Sequence, residues 1–124
     1  MFSSTGILHY GPGIRVIVAI DQGIVNYYRS LIPKYHGVHP QKYPAHITVI
    51  RTGREQPPQM DIWGKHQGEI VVFQYHPEIH CDGSYWHLNA TSQRIGEIRE
   101  ELGLPKFRFR ERECYHISLG NTKV

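Results

Sequence analysis

Pro44-Ala-His46-Ile-Thr48-Val-Ile50 and Cys114-Tyr-His116-Ile-Ser118-Leu-Gly120 are two copies of one device. Each sets an imidazole two residues before a hydroxyl, inside an aliphatic run that reads as a buried strand. Side chains alternate faces along a strand, so positions i and i+2 share a face roughly 6–7 Å apart. His46 therefore shares a face with Thr48, and His116 with Ser118, while Ile47, Val49, Ile117 and Leu119 turn to a core. With nine His in 124 residues the bare His-x-hydroxyl pattern is common. Requiring an aliphatic residue at both flanking positions lowers the chance expectation to roughly 0.04 occurrences, so two are significant.

The same 70-residue offset carries the segments upstream. Val25 falls on Ile95, Tyr28 on Ile98, Arg29 on Arg99 and Ile32 on Leu102. Each set has the i, i+3, i+7 spacing of one helical face. Asp21 and Thr91 precede these faces where N-caps are expected. The chain therefore reads as two strand–helix–strand units, about residues 14–51 and 84–119, within one domain spanning 1–124.

Around these units the expected elements follow from punctuation. Residues 14–20 form a β-branched strand after Gly11-Pro12-Gly13, and a helix runs from Gln22 until Pro33 stops it. Residues 34–45 read as a loop, 54–58 as another, and 60–66 as one or two helical turns. Strands are expected at 69–75 and 85–90, with a short one at 79–81 and a turn at Asp82-Gly83. The second helix covers about 92–102, with Gly103 as its stop. This predicts an α+β fold of two lobes, each a small antiparallel sheet backed by an outer helix, with the motif strands meeting at a central cleft.

Composition sets the bounds. At 40% apolar and 20% charged residues, the sequence is that of a globular protein with one core. No run approaches the ~18 apolar residues of a membrane span, and the N-terminus lacks a signal-peptide pattern. Two cysteines fit a reducing compartment. A cytoplasmic protein is expected, with no membrane association. The net charge of +3 leans towards polyanionic partners. Lys106, Arg108, Arg110 and Arg112 cluster before the second motif, tempered by Glu111 and Glu113.

Two imidazoles and two hydroxyls suit phosphodiester cleavage. An imidazole holds both protonation states near neutral pH, so one can take a proton from an attacking oxygen and the other can give one to the leaving oxygen. We expect His46 as base and His116 as acid, with Thr48 and Ser118 donating to the phosphoryl oxygens; the sequence leaves the two histidine roles exchangeable. No metal and no cofactor are required. Tyr10, Tyr43, Trp63 and Trp86 are candidates for base stacking. Tyr10 is favoured because His9 and Gly11-Pro12-Gly13 look like a shaped loop. Arg15 and Lys34 are candidates for phosphate binding. The competing metal reading draws on His76, His80, Cys81 and His87, whose spacing would suit zinc on a helix, but Pro77 and strand-like neighbours oppose it.

These motifs resemble the 2H phosphoesterase superfamily. The resemblance covers nearly the whole chain through its repeated units, and its specific part is the two His-x-Thr/Ser strands. Three further stretches look like the bacteriophage anti-CBASS phosphodiesterases: His9-Tyr10-Gly11-Pro12-Gly13-Ile14-Arg15, Asn26-Tyr27-Tyr28-Arg29-Ser30-Leu31-Ile32-Pro33-Lys34-Tyr35, and Gly96-Glu97-Ile98-Arg99-Glu100-Glu101-Leu102-Gly103-Leu104-Pro105. The resemblance implies cleavage of 3′–5′ bonds in cyclic di- and trinucleotide alarm molecules, in the cytoplasm of an infected host. No stable protein partner is expected, and a homodimer is left open. Two departures stand out: the second hydroxyl is Ser, and the chain ends six residues after Ser118, where that subgroup is expected to continue. Cleavage of 2′,3′-cyclic phosphates or 2′–5′ linkages in RNA is the alternative within the superfamily, and a non-enzymatic cyclic-nucleotide sponge is the alternative outside it.

Overall fold

The computed structural model describes residues 1–51, 53–107 and 114–123. Arg108, Arg110, Arg112, Glu111 and Glu113 of the basic stretch lie outside the described residues. The strands are β1 (Phe2–Gly11), β2 (Arg15–Ala19), β3 (His39–Pro40), β4 (His46–Ile50), β5 (Ile70–Asp82), β6 (Tyr85–Thr91) and β7 (Tyr115–Asn121). The helices are α1 (Gln22–Ser30) and α2 (Gln93–Glu101). Short 3₁₀ turns occupy Lys34–His36 and Met60–Ile62.

Alternation along the motif strands is as the spacing requires. Ile47, Val49, Ile117 and Leu119 are fully buried, whereas His46, Thr48, His116 and Ser118 are half-buried on the other face. Val16 and Val18, Val71 and Phe73, and Leu88 and Ala90 supply the same inward rows on β2, β5 and β6. Val25, Tyr28 and Ile32 of the first unit and Ile95, Ile98 and Leu102 of the second join this one core. Each such side chain contributes about 1.5–3 kcal/mol by leaving water.

The expected two-lobed α+β arrangement is overturned. The strands run β7-β4-β2-β1-β5-β6 in antiparallel neighbours, and β6 pairs back onto β7. That closes a six-stranded barrel, with β3 added beside β7 and two helices among the described residues. Lobes would need the two halves to separate opposite the motif strands. Instead β1 pairs with β5 from Phe2↔Tyr75 to Ile7↔Ile70 and joins the halves there, so no cleft opens between them. The helices do not simply back two outer sheets. α2 packs against both β4 and β5, which lie three apart around the ring, and so crosses an end of the barrel. α1 packs on β7 and reaches β5 through Tyr28, whose ring meets Tyr75 edge-on at 6.1 Å.

β1 is the strand that periodicity did not reveal. Its inward positions are Gly6 and Leu8, followed by the half-buried Tyr10. A Cβ at Gly6 would come within 2.5 Å of both the Ala19 carbonyl and the Val18 side chain, so the row must lack a side chain there. The segment holding Tyr10 is thus strand, not a shaped loop. The expected strands at 69–75 and 79–81 are one strand, β5. Its register with β6 shifts between Tyr75 and Ile79, where His76 and Pro77 interrupt the ladder.

Asp21 caps α1 by accepting from the Gly23 amide at 2.9 Å. The second cap is Ser92 rather than Thr91. Its hydroxyl accepts from the Ile95 amide at 3.3 Å and donates to the Val72 carbonyl at 2.7 Å, fixing α2 to β5. Among the described residues no helix is long and apolar enough to cross a membrane.

Candidate active site

The two motifs meet edge to edge. β4 and β7 pair with Ile47 opposite Ile117, which sets His46 across from Ser118 and Thr48 across from His116. The four polar groups occupy the corners of a quadrilateral, with hydroxyls beside each imidazole both along the strand and across it. In such a ladder directly opposed residues are typically roughly 5 Å apart and diagonal neighbours, as the two histidines are, about 7–8 Å. The quartet sits on the barrel face turned away from the core.

His46 has a defined tautomer. Its Nδ1 lies 2.7 Å from the Pro44 carbonyl, which can only accept, so Nδ1 carries the hydrogen and Nε2 is the basic nitrogen of the neutral ring. His116 is held from its other side. Its ring lies against His87 at 4.0 Å with the planes tilted by 32°, and His87 stacks on His80 at 5.6 Å. Asn89, opposite His116 in the ladder, donates to His80 Nε2 at 3.3 Å. Burial above all, then His116 and His80, pushes His87 down from 6.5 to about 4. A neutral His87 adds no charge against a protonated His116, which suits an acid at that position.

This lowered value has a consequence for stability. The unfolded chain binds a proton at His87 below about pH 6.5, whereas the folded chain does so only below about 4. Between those values the unfolded state holds more protons, so stability falls as pH drops through the window. The denaturation midpoint should decline from pH 7 to 4.5, and His87→Gln should lose part of that decline. Equal declines in both proteins would contradict the assignment.

A crevice enclosing about 350 Å³, counted to its open mouth, adjoins the quartet. It lies where β3 and β4 leave a gap along one edge of β7, bridged by residues 41–45 and roofed by α1. His46 and Ser118 form part of its wall, together with Gln22, Asn26, Arg29 and Tyr43. Gln22 ties loop to helix, its Oε1 accepting from the Ala45 amide at 2.8 Å.

The other candidates fall in separate places. Arg15 lies with its guanidinium 5.5 Å from the Tyr43 ring, at the margin of the crevice. Tyr10 packs edge-on against Trp63 at 5.1 Å on the core side of β1, where burial raises its phenol. Neither Tyr10 nor Trp63 lines the crevice. Trp86 also packs towards the core, with His36 4.9 Å from its ring, and its Nε1 is buried without a partner among the described residues. Lys34 is exposed in the turn before His36, outside the crevice. Gln22, Asn26 and Arg29 were not singled out as site residues, although Asn26 and Arg29 lie in a stretch quoted for the resemblance, because only the folded position of α1 brings them to His46. For the metal alternative, His80 and His87 are neighbours, but Cys81 points to the opposite face from His80 and donates to the Gly83 carbonyl at 3.2 Å. Among the described residues no three His, Cys, Asp or Glu side chains group as a metal site.

Compared with protein-family models, curated proteins and solved structures, the chain gives no significant match.

Proposed function

We propose that this protein is a metal-independent phosphodiesterase that cleaves 3′–5′ bonds of cyclic di- or trinucleotides. The observation that carries the reading is the Ile47↔Ile117 register, which brings two imidazoles and two hydroxyls into one quadrilateral. His46 Nε2 takes the proton from an attacking water or ribose 2′-hydroxyl. His116 gives a proton to the departing 5′-oxygen. Thr48 and Ser118 donate to the non-bridging oxygens, where negative charge builds in the transition state. Each step uses side chains of this chain alone. The substrate class comes from the resemblance to the phage phosphodiesterases, and with it a role against CBASS defence in the infected cell.

The test is product analysis over a panel: cyclic di- and trinucleotides, 2′,3′-cyclic mononucleotides and 2′–5′-linked oligonucleotides. Opening of a 3′–5′-linked ring is the expected result. Cleavage confined to the other two classes would transfer the site to RNA chemistry. Tight binding of cyclic nucleotides without turnover would make the protein a sponge.

A further inference from the structure

One residue type stands at the same place in both repeats and in opposite circumstances. Arg99 of α2 is fully buried and fully committed. Its Nε donates to the Pro105 carbonyl at 2.8 Å, its Nη1 to the Val49 carbonyl at 2.6 Å, and both Nη groups to the Glu55 carboxylate at 2.8 and 2.6 Å. Arg29 of α1, 70 residues earlier, is half-buried in the crevice wall beside His46 and Ser118. Its guanidinium makes no hydrogen bond or ion pair among the described residues.

The neighbours of Arg29 are donors too. Gln22, Asn26 and Arg29 follow i, i+4, i+7 and line one face of α1. Gln22 Nε2 donates to Asn26 Oδ1 at 3.2 Å, which leaves the Asn26 amide hydrogens to face outward. A guanidinium fork beside an amide donor matches the geometry of a phosphate. A hollow on α2, one residue out of register with the repeat, presents Glu97 and Glu100 against Lys106. Those carboxylates oppose a phosphate there.

We propose that Arg29, with Asn26, binds a second, non-reacting phosphate of the substrate while the scissile phosphate lies among the histidines and hydroxyls. The inference rests on the phosphodiesterase reading of the quartet. It makes the protein selective for oligonucleotides over single-phosphate esters, and it gives the substrate one polarity, with the anchored phosphate on the His46 side.

Arg29→Gln should raise KM for a cyclic dinucleotide such as cyclic di-AMP at least tenfold and leave kcat within about twofold. KM for 2′,3′-cyclic AMP, which has one phosphate, should not move, and Arg29→Lys should recover part of the loss. A second readout needs no turnover. Inorganic phosphate should shift the backbone amide signals of Asn26, Arg29 and Ala45 in the native protein and not in Arg29→Gln. If the native protein cleaves nothing yet shows these Arg29-dependent shifts, the subsite stands and the catalytic reading falls. An unchanged KM for the cyclic dinucleotide in Arg29→Gln, or phosphate shifts that persist in that variant, would overturn the proposal. Retained amide dispersion in Arg29→Lys guards against a folding artefact.

Discussion

Replacing His46 or His116 by alanine is expected to slow phosphodiester cleavage by at least about 10²–10⁴-fold, the usual range for a positioned acid or base. Binding should survive if a second phosphate is held by Arg29 and Asn26, as proposed, since both line the crevice away from the removed imidazole. The native rate should follow a bell-shaped pH curve, and each variant should lose one of its limbs. Loss of the low-pH limb in His46→Ala would assign His46 as the base, as its Nδ1 bond to Pro44 suggests. The two substitutions together should cost little more than one, since the groups act in the same step. Unaltered turnover in either variant would remove that histidine from the mechanism. Parallel loss of binding and rate would mean a structural role instead.

Glu55→Ala should produce the largest loss of stability from a single side chain outside the barrel rows. Arg99 has no exposed side-chain area, and Glu55 is the partner of its charge. Removing one member of a buried ion pair leaves the other uncompensated, at a cost of about 3–5 kcal/mol. The melting temperature should fall by more than roughly 10 °C. Glu55→Gln should fall less, since an amide still accepts one of the two hydrogen bonds. Because Arg99 also holds the Val49 carbonyl, the loosened helix should weaken β4 just beyond Thr48. A loss below about 1 kcal/mol in Glu55→Ala would mean that water replaces the carboxylate. Arg29→Gln should leave the melting temperature nearly unchanged, which separates the two members of the repeat.

Each half of the quartet was legible in the sequence because what sets a histidine beside its own hydroxyl is local, whereas the meeting of the halves rests on the Ile47↔Ile117 pairing. Two-residue alternation puts each hydroxyl on the face of its own histidine, and the flanking aliphatic residues declare which face is core. The helical repeat was legible for the same reason, since Val25, Tyr28 and Ile32 and their counterparts at 95, 98 and 102 all reached the core. Closure of the barrel was not. It depends on β1, whose inward row is broken by Gly6, and on two pairings, β1 with β5 and β6 with β7, that no local pattern encodes. Missing β1 left two open sheets, and two open sheets read as two lobes. The crevice was hidden in a different way. Gln22, Asn26 and Arg29 look like an ordinary solvated helix face until α1 is laid beside residues 41–45. Tyr10 and Trp86, read from the sequence as stacking candidates, are half-buried rings packed against the core.

The closed barrel also changes how the quartet is approached. A cleft between lobes would select small ligands by enclosure. Among the described residues the quartet lies on the outer face of the barrel beside a crevice, so on the proposed reading selectivity would fall to what that crevice holds. On the proposed role of Arg29, a substrate with a second phosphate would be favoured by attachment rather than by enclosure.

The most direct test of the central claim is the rate of cyclic-dinucleotide and cyclic-trinucleotide cleavage by the native protein in excess EDTA. Imidazole acid–base chemistry assisted by Thr48 and Ser118 predicts ring opening at the same rate with and without the chelator. Complete loss of cleavage under EDTA, restored by adding a divalent cation, would contradict it.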